Sequence, residues 1–137
     1  MASQYGVNSN GHFAPVADTL ATVTVSEAAG FAVGNVIYSN GSGSAGLYDS
    51  NSEANCAAII GIADGTYADT ATASYFQTGM VASGLSGLTA GNEYYADPTD
   101  GSLVAFSSIG SGEWTRSMGT AKSSSTLEVK IGPVIQK

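Results

Sequence analysis

The sequence predicts an all-β protein: a compact antiparallel sandwich or barrel of about nine short strands with an extended N-terminal arm. Apolar and polar residues alternate with a period of two in several short segments. Gly, Asn, Asp, Ser and Pro separate these segments at the spacing typical of hairpins. Helical periodicity is not convincing anywhere, and residues 68–74, where a helix could begin, are few and rich in Thr.

Length favours one domain. A chain of 137 residues can bury roughly two-thirds of the surface that its unfolded form exposes. We expect residues 1–19 to form the arm and residues 20–137 to form a single β domain.

The arm is predicted from residues 1–19, which lack strand or helix periodicity but still contain apolar side chains among Gly, Asn and Ser. A purely disordered tail would be poorer in such side chains. We expect the arm to be mobile in the free protein and to order on a neighbouring subunit through Tyr5, Phe13 and Val16. A frayed terminus is the alternative.

The first strands are predicted from residues 21–26, which alternate cleanly, and from the apolar residues 31–38, in which Gly34 is expected to mark a bulge. The pair Asn40-Gly41 predicts a turn before a short strand over residues 45–49.

Residues 56–63 form the most continuous apolar run and predict a central strand buried on both sides. Cys56, the only cysteine, is expected to be a small buried hydrophobic residue on this strand. A nucleophilic role would need a nearby histidine, and the only one, His12, lies in the polar N-terminal segment. After a loop, β structure is expected to resume over residues 74–82.

The C-terminal block, residues 84–133, contains the clearest turn. Residues 97–101, Asp-Pro-Thr-Asp-Gly, separate Tyr94-Tyr95 from Leu103-Val104 and predict a hairpin. Residues 105–113 predict a Gly/Ser loop, and residues 126–131 alternate as a strand with one solvated face.

An ordered set of motifs in this block resembles a module of virion structural proteins of tailed bacteriophages. It comprises a G-L-T-x-G-x-x-Y-Y segment, a D-P-x-x-G-x-L turn and a late strand; the matching residues are Gly87-Leu88-Thr89-Ala90-Gly91, Tyr94-Tyr95, Asp97-Pro98, Gly101, Leu103, Gly119, Ala121, Ser123, Leu127, Val129 and Ile131. The resemblance implies a virion surface component.

Within that class, the small size of the chain, the apolar residues of the arm and the low charge, together with the resemblance, favour a capsid decoration (cement) protein that would bind the major capsid protein and stabilise the head lattice. Such a protein would be made in the host cytoplasm and reside on the head surface. A receptor- or glycan-binding module of a fibre or spike, and a minor tail structural protein, are the alternatives.

Charge is scarce and unevenly distributed. Charged residues make up 11% of the chain, against about 25% in typical domains, which favours a homo-oligomer, most simply a trimer. All four basic residues lie in the last 22 positions: Arg116, Lys122, Lys130 and Lys137. Residues 1–115 contain ten acids and no base. This balance argues against a nucleic-acid partner and permits head-to-tail attraction between subunits.

Neither a basic, apolar leader nor a run of eighteen apolar residues is visible, so we expect neither a secretory signal nor a membrane partner.

Catalytic and metal-binding patterns are weak. Asp64, Asp69, Asp97 and Asp100 occupy turn contexts, where Asp bonds its own backbone; a weak divalent-cation site or a glycosidase pair are the alternatives. Ser86 lacks the strand-to-helix context of a nucleophile elbow. We expect no enzyme activity, no catalytic or metal-binding residues and no cofactor.

Aromatic residues could pack in the core or between subunits, or could form a sugar-binding surface. Adjacent Tyr94 and Tyr95 must point to opposite faces of their strand, so one of them should be partly exposed. Together with Trp114 they are the first candidates for an interaction surface.

Overall fold

A computed structural model describes residues 19–137 and, in addition, the backbone pairing of two strands in the N-terminal segment. These strands, β1 (Tyr5–Val7) and β2 (Phe13–Pro15), form an antiparallel pair. The segment that showed no strand periodicity therefore contains two paired strands. The predicted contacts of the Tyr5, Phe13 and Val16 side chains lie outside the described residues.

Five strands close into a small barrel. Their order around the barrel is β3-β5-β4-β6-β7, and their bounds are β3 (Ala21–Val25), β4 (Val36–Gly41), β5 (Ser44–Leu47), β6 (Ile59–Ala63) and β7 (Thr72–Phe76). Antiparallel pairing of β3 with β7 closes the ring. The pair β3–β5 is parallel, which departs from the predicted antiparallel arrangement.

Alternation of side chains divides the barrel residues into two sets. Val25, Ile37 and Tyr75 belong to a buried cluster made entirely of barrel residues and the loops that join the strands. Their chain neighbours Val36 and Phe76 belong to a different buried cluster. Strands β4, β6 and β7 therefore contribute both to the barrel interior and to a second core outside it, whereas the buried apolar side chains of β3 and β5 belong to the first cluster alone.

The second half of the chain forms a five-stranded antiparallel sheet beside the barrel. The remaining strands are β8 (Val81–Ala82), β9 (Glu93–Ala96), β10 (Leu103–Val104), β11 (Trp114–Thr115), β12 (Ser117–Ala121), β13 (Leu127–Val129) and β14 (Ile135–Gln136). The sheet order is β10-β9-β12-β13-β8, and β11 pairs separately with β14. A single turn of 3-10 helix, Phe106–Ser108, lies between β10 and β11.

The inner face of the sheet packs on the outside of the barrel. Met118, Leu127 and Val129 are at most 1% exposed and share one buried cluster with Val36 and Phe76 of the barrel. We call this cluster the shared core. We call residues 21–76 the barrel half and residues 77–137 the sheet half. Because neither half can expose its side of the shared core to water without losing hydrophobic stabilisation, the two halves stabilise each other.

A short helix was not expected from the sequence. Helix α1 (Glu53–Ala57) occupies the start of the run predicted as one continuous strand, and the Ser52 side chain caps it by accepting a hydrogen bond from the Asn55 amide at 3.2 Å. Cys56 therefore lies on a helix and not on a strand, although it is fully buried as predicted. The strand itself begins at Ile59.

Two predicted turns differ in detail. Gly34, with φ of 87°, lies in a turn before β4 and not in a bulge, and Asn35 accepts a hydrogen bond from the Ala32 amide at 2.7 Å. In the β4–β5 hairpin the turn residues are Ser42 and Gly43, with φ of 55° and 77°, so Asn40-Gly41 ends the strand and does not form the turn. Two successive positive φ angles are typical of the tight turns that join twisted strands.

The fold class is confirmed. Strands account for 39% of the chain and helix for 7%. The described strands number fourteen, more than the nine expected, because several contain only two or three residues. The predicted hairpin at residues 97–101 is present, with β9 and β10 paired across it. Leu127 and Val129 are buried while Glu128 is exposed, as the alternation predicted.

Candidate functional site

Tyr94 and Tyr95 point to opposite faces of β9, as predicted. Tyr94 is only 8% exposed, belongs to the shared core, and accepts a hydrogen bond from the Thr89 amide at 2.8 Å through its hydroxyl. Tyr95 is half-buried on the outer face of the sheet. Of this predicted pair, only Tyr95 is placed to meet a ligand or a partner.

Trp114 is the third residue predicted for an interaction surface. It lies half-buried on β11, packed against the shared core, and its amide donates a hydrogen bond to Asn51 Oδ1 at 2.7 Å. Its carbonyl accepts the hydroxyl of fully buried Tyr48. These contacts tie the Trp114 backbone to Asn51 and Tyr48, and the role of its side chain on an interaction surface stays a prediction.

A groove of about 350 Å³ crosses the outer face of the sheet beside Tyr95. One side is formed by β9 and β12, with Glu93, Tyr95 and Ser117. The C-terminal segment that follows β13 forms the other side, with Lys130 and Pro133. We call this depression the outer groove.

A fixed carboxylate lies in the outer groove. Glu93 Oε1 accepts a hydrogen bond from the Tyr95 hydroxyl at 2.9 Å, and Glu93 Oε2 accepts one from Ser117 Oγ at 2.8 Å. The hydrogen bond to Glu93 is the main cause that raises the pKa of the Tyr95 hydroxyl. The tyrosine therefore remains a neutral donor, and both carboxylate oxygens keep a free lone pair.

The Tyr95 ring packs against the ring of Phe106, with ring centroids 5.0 Å apart and planes inclined at 54°. Phe106 is 38% exposed, and Lys137 Nζ lies 4.8 Å from its ring centroid, within cation–π range. Lys137 Nζ also donates to the Phe106 carbonyl at 3.0 Å. Sequence reasoning missed Phe106, because residues 105–113 had only the composition of a loop.

Two acids at the β9–β10 turn bind their own backbone. Asp97 Oδ1 accepts from the Thr99 amide at 2.9 Å, and Asp100 Oδ1 accepts from the Ser102 amide at 3.0 Å. This is the turn role that the sequence predicted.

The other two acids join the barrel loops. Asp64 Oδ1 accepts from the Tyr67 hydroxyl at 2.6 Å and from Ser74 Oγ at 2.8 Å, while Asp69 Oδ1 accepts from the Glu27 amide at 3.2 Å. Among the residues that the structure describes, His, Cys, Asp and Glu side chains do not group in threes as a metal site would need.

Cys56 is part of a structural junction. Burial raises the pKa of its thiol above the ordinary value, so the thiolate is disfavoured. Arg116 from the sheet half donates to the carbonyls of Cys56 and Ala57 at 3.1 and 3.2 Å, and to the Gly132 carbonyl at 2.8 Å. Arg116 thus ties helix α1 to the C-terminal segment.

A smaller cleft of about 180 Å³ lies where the turn before β4 meets the loop after β8. Leu85, Leu88 and Leu103 line it together with Val33, which is 42% exposed. This cleft shares none of its lining residues with the outer groove.

The two halves differ in charge. Residues 21–76, the barrel half, carry five acids and no base, or −5. Residues 77–137 carry five acids and all four bases, or −1. Lys122, Lys130 and Lys137 are exposed.

No protein-family model matches the chain, and no curated protein matches it significantly. Within the described residues, none of the helices is long and apolar enough to cross a membrane.

Proposed function

We propose that this protein is a virion structural protein: a capsid decoration protein that binds the major capsid protein of a tailed-phage head and stabilises the head lattice. In this proposal the protein acts as a homo-oligomer, most simply a trimer, on the outer surface of the head. The observation that carries the proposal is a coincidence of sequence and structure. The residues that resemble the phage virion module fall within one structural unit, the five-stranded sheet and its turns.

Two glycines of the resemblance are required by the geometry of that sheet. Gly101 closes the β9–β10 turn with φ of 74°, and a side chain there would overlap Leu47 of the barrel. Gly119 has φ of 145° and lies so close to the Glu128 carbonyl that a Cβ would overlap it. The resemblance therefore includes positions that specify a particular sheet and its fit to the barrel, and not only common hairpin residues.

The division of charge supports self-association. The barrel half, at −5, would attract the exposed lysines of the sheet half of a neighbouring subunit. Such head-to-tail contacts close into a ring when the rotation between subunits allows it, and a trimer is the smallest ring beyond a dimer.

Particle stability tests the main proposal. Particles that lack this protein should release their DNA at a lower temperature than complete particles, because a protein that binds only the intact shell stabilises it by mass action. Purified protein added back should restore the difference with saturating stoichiometry. Equal stability of depleted and complete particles, with loss of adsorption to cells, would replace the decoration role by a receptor-binding one.

Sedimentation of the purified protein tests the oligomer. We expect a species of three times the 13.7 kDa chain mass that dissociates as salt is raised, because exposed charges are screened. A 13.7 kDa species at micromolar concentration and low salt would exclude a stable trimer in solution.

The N-terminal segment is proposed to contribute to attachment. Burying one Phe on a neighbouring subunit stabilises by roughly 1.5–3 kcal/mol before ordering costs. A chain that begins at Asp18 should therefore fold normally but bind depleted particles more weakly. Equal binding by the shortened and full chains would remove the segment from the proposal.

A further inference from the structure

We propose that the outer groove binds a neutral carbohydrate chain, with the Tyr95 ring as the stacking surface and Glu93 as the acceptor for sugar hydroxyls. This inference does not depend on a role in the capsid. It narrows the residues that the sequence suggested for a sugar-binding surface to Tyr95, since Tyr94 is in the shared core and Trp114 is not among the residues that line the groove.

The aromatic part of the groove is held in place by contacts within the protein. The Tyr95 hydroxyl is bound to Glu93 and the ring packs against Phe106, so the ring is fixed at both ends. A pyranose ring has a face of C–H groups that packs on such a surface. Because the platform is already ordered, binding avoids much of the entropic cost of fixing a side chain.

The polar part of the groove suits hydroxyl groups. Each Glu93 oxygen has one protein donor and can accept one more hydrogen bond, so the carboxylate can receive two neighbouring hydroxyls of one sugar. Exposed Thr120 and Lys130 lie in the same groove and can donate to ring or hydroxyl oxygens. Aromatic surface beside a few oriented polar groups is the usual composition of a small-molecule site, and about 350 Å³ is within the usual size range.

A neutral chain fits the charges better than an anionic one. Glu93 and Lys130 balance each other within the groove, and the whole chain carries −7. An anionic polymer would meet that excess negative charge without a cluster of basic residues in the groove to offset it.

An extended peptide fits less well because the neighbouring backbone is already paired. The amides of Lys130 and Gly132 donate to the carbonyls of Met118 and Ser117 at 3.0 and 2.9 Å, so the segment after β13 continues the pairing along β12. Peptides that bind to sheets usually add a strand at a free edge. The floor of the outer groove presents side chains and not such an edge.

Titration of the full-length, 15N-labelled protein tests the inference, with maltohexaose, cellohexaose, mannohexaose and chitohexaose as separate probes. At least one of them should shift the amide resonances of residues 93–95, 117–120 and 130–135 in a saturable way, with a Kd of about 1 mM or lower. The Tyr95→Ala change should weaken that binding at least tenfold. Glu93→Gln should weaken it about tenfold, because one carboxylate acceptor becomes an amide donor.

Two further variants control for folding. Tyr95→Phe keeps the ring and removes only the hydroxyl, so it should fold normally and lose less affinity than Tyr95→Ala. Tyr67→Phe alters a half-buried tyrosine of the barrel half and should bind as the unaltered protein does. Retained resonances of Met118 and Leu127 would show that each variant keeps the shared core.

The inference is overturned if none of the four sugars gives saturable shifts, if the shifts lie away from the groove, or if the folded Glu93 and Tyr95 variants bind as well as the original. Tyr95→Ala protein added to depleted particles separates this role from the proposed capsid function. It should stabilise particles as the original does, because Tyr95→Ala leaves in place the exposed lysines proposed for contact between subunits.

Discussion

The barrel half and the sheet half bury their apolar side chains in different ways. The barrel encloses a core of its own and also lends outward-facing residues such as Val36 and Phe76 to the shared core. The sheet buries one face on that core and leaves the other to solvent. The barrel therefore supports the inner face of the sheet. The aromatic and charged side chains of the outer groove, Tyr95, Glu93 and Lys130, lie on the outer face of the sheet.

The largest expected effect comes from opening the barrel. Gly61 on β6 has no room for a side chain, since a Cβ would overlap the Phe76 carbonyl and approach the Tyr75 ring. Gly61→Ala should lower the free energy of unfolding by about 4 kcal/mol or more. The Trp114 fluorescence transition in urea should shift with it, because the halves share a core.

Gly65→Ala is the matched control, since the nearest atom to its added Cβ would be 3.5 Å away, an ordinary contact. If the barrel strands were unfolded in Gly61→Ala while the Trp114 transition stayed unchanged, the sheet half would be stable alone.

The shared core is tested from the sheet side by Met118→Ala. Met118 is fully buried, and its truncation should cost about 3 kcal/mol, the transfer free energy plus the cavity left behind. Chemical denaturation monitored both by tyrosine and by tryptophan emission should show one transition at lower urea. Thr120→Ala, exposed on the same strand, should change stability by less than about 0.5 kcal/mol. Two separated transitions in Met118→Ala would contradict mutual support.

A smaller effect is expected where the halves are joined by Arg116. Arg116→Ala should cost about 2 kcal/mol, because the carbonyls of Cys56 and Gly132 lose a charged donor. Arg116→Lys should recover little of this, since an ammonium cannot reproduce the planar guanidinium fork. Lys122→Ala is the control: its ion pair with Glu128, at 3.8 Å, is exposed and should contribute at most about 1 kcal/mol. Equal losses in the Arg116 and Lys122 variants would show that Arg116 does not join the halves.

The smallest effect is a dependence of stability on pH. Burial raises the pKa of the Cys56 thiol in the folded protein, so the unfolded chain loses this proton first as the pH rises. The stabilisation is fully present below the unfolded pKa of about 8.5 and is lost as the pH rises from there towards the folded pKa. Burial likewise raises the pKa of the Tyr48 hydroxyl, which adds a similar loss above about 10.

Thermal unfolding of the original protein and of Cys56→Ala between pH 7 and 10 measures this dependence. The decline that begins near pH 8.5 should be absent from the variant. An identical decline in both proteins would assign it to other groups.

The sequence predicted those elements whose signal is local. Alternation in residues 21–26 and the turn residues Asp97 to Gly101 determine their strands with little help from the rest of the chain. Helix α1 was missed because five residues are too few to show a helical period, and its start depends on one capping serine, Ser52.

Closure of the barrel could not be predicted in the same way. It pairs Ala21 with Tyr75, which are far apart in the chain. The residues of either strand do not indicate which other strand it will pair with.

The outer groove was predicted only in part. Alternation showed that Tyr95 and Tyr94 must face opposite ways, but not which of them would be buried. Phe106 comes beside Tyr95 through a turn of 3-10 helix that its Gly/Ser-rich surroundings did not indicate. Trp114 stays a prediction for an interaction surface: it is half-buried beside the shared core, and only its carbonyl bonds to Tyr48.

Barrel closure also bears on crowding. A closed ring presents no row of unpaired backbone groups, and the end strands of the neighbouring sheet, β8 and β10, are only two residues long. Free strand edges let identical chains join edge to edge and aggregate, a danger that grows with local concentration. The barrel and the five-stranded sheet therefore give neighbouring copies of this chain little free edge along which to join.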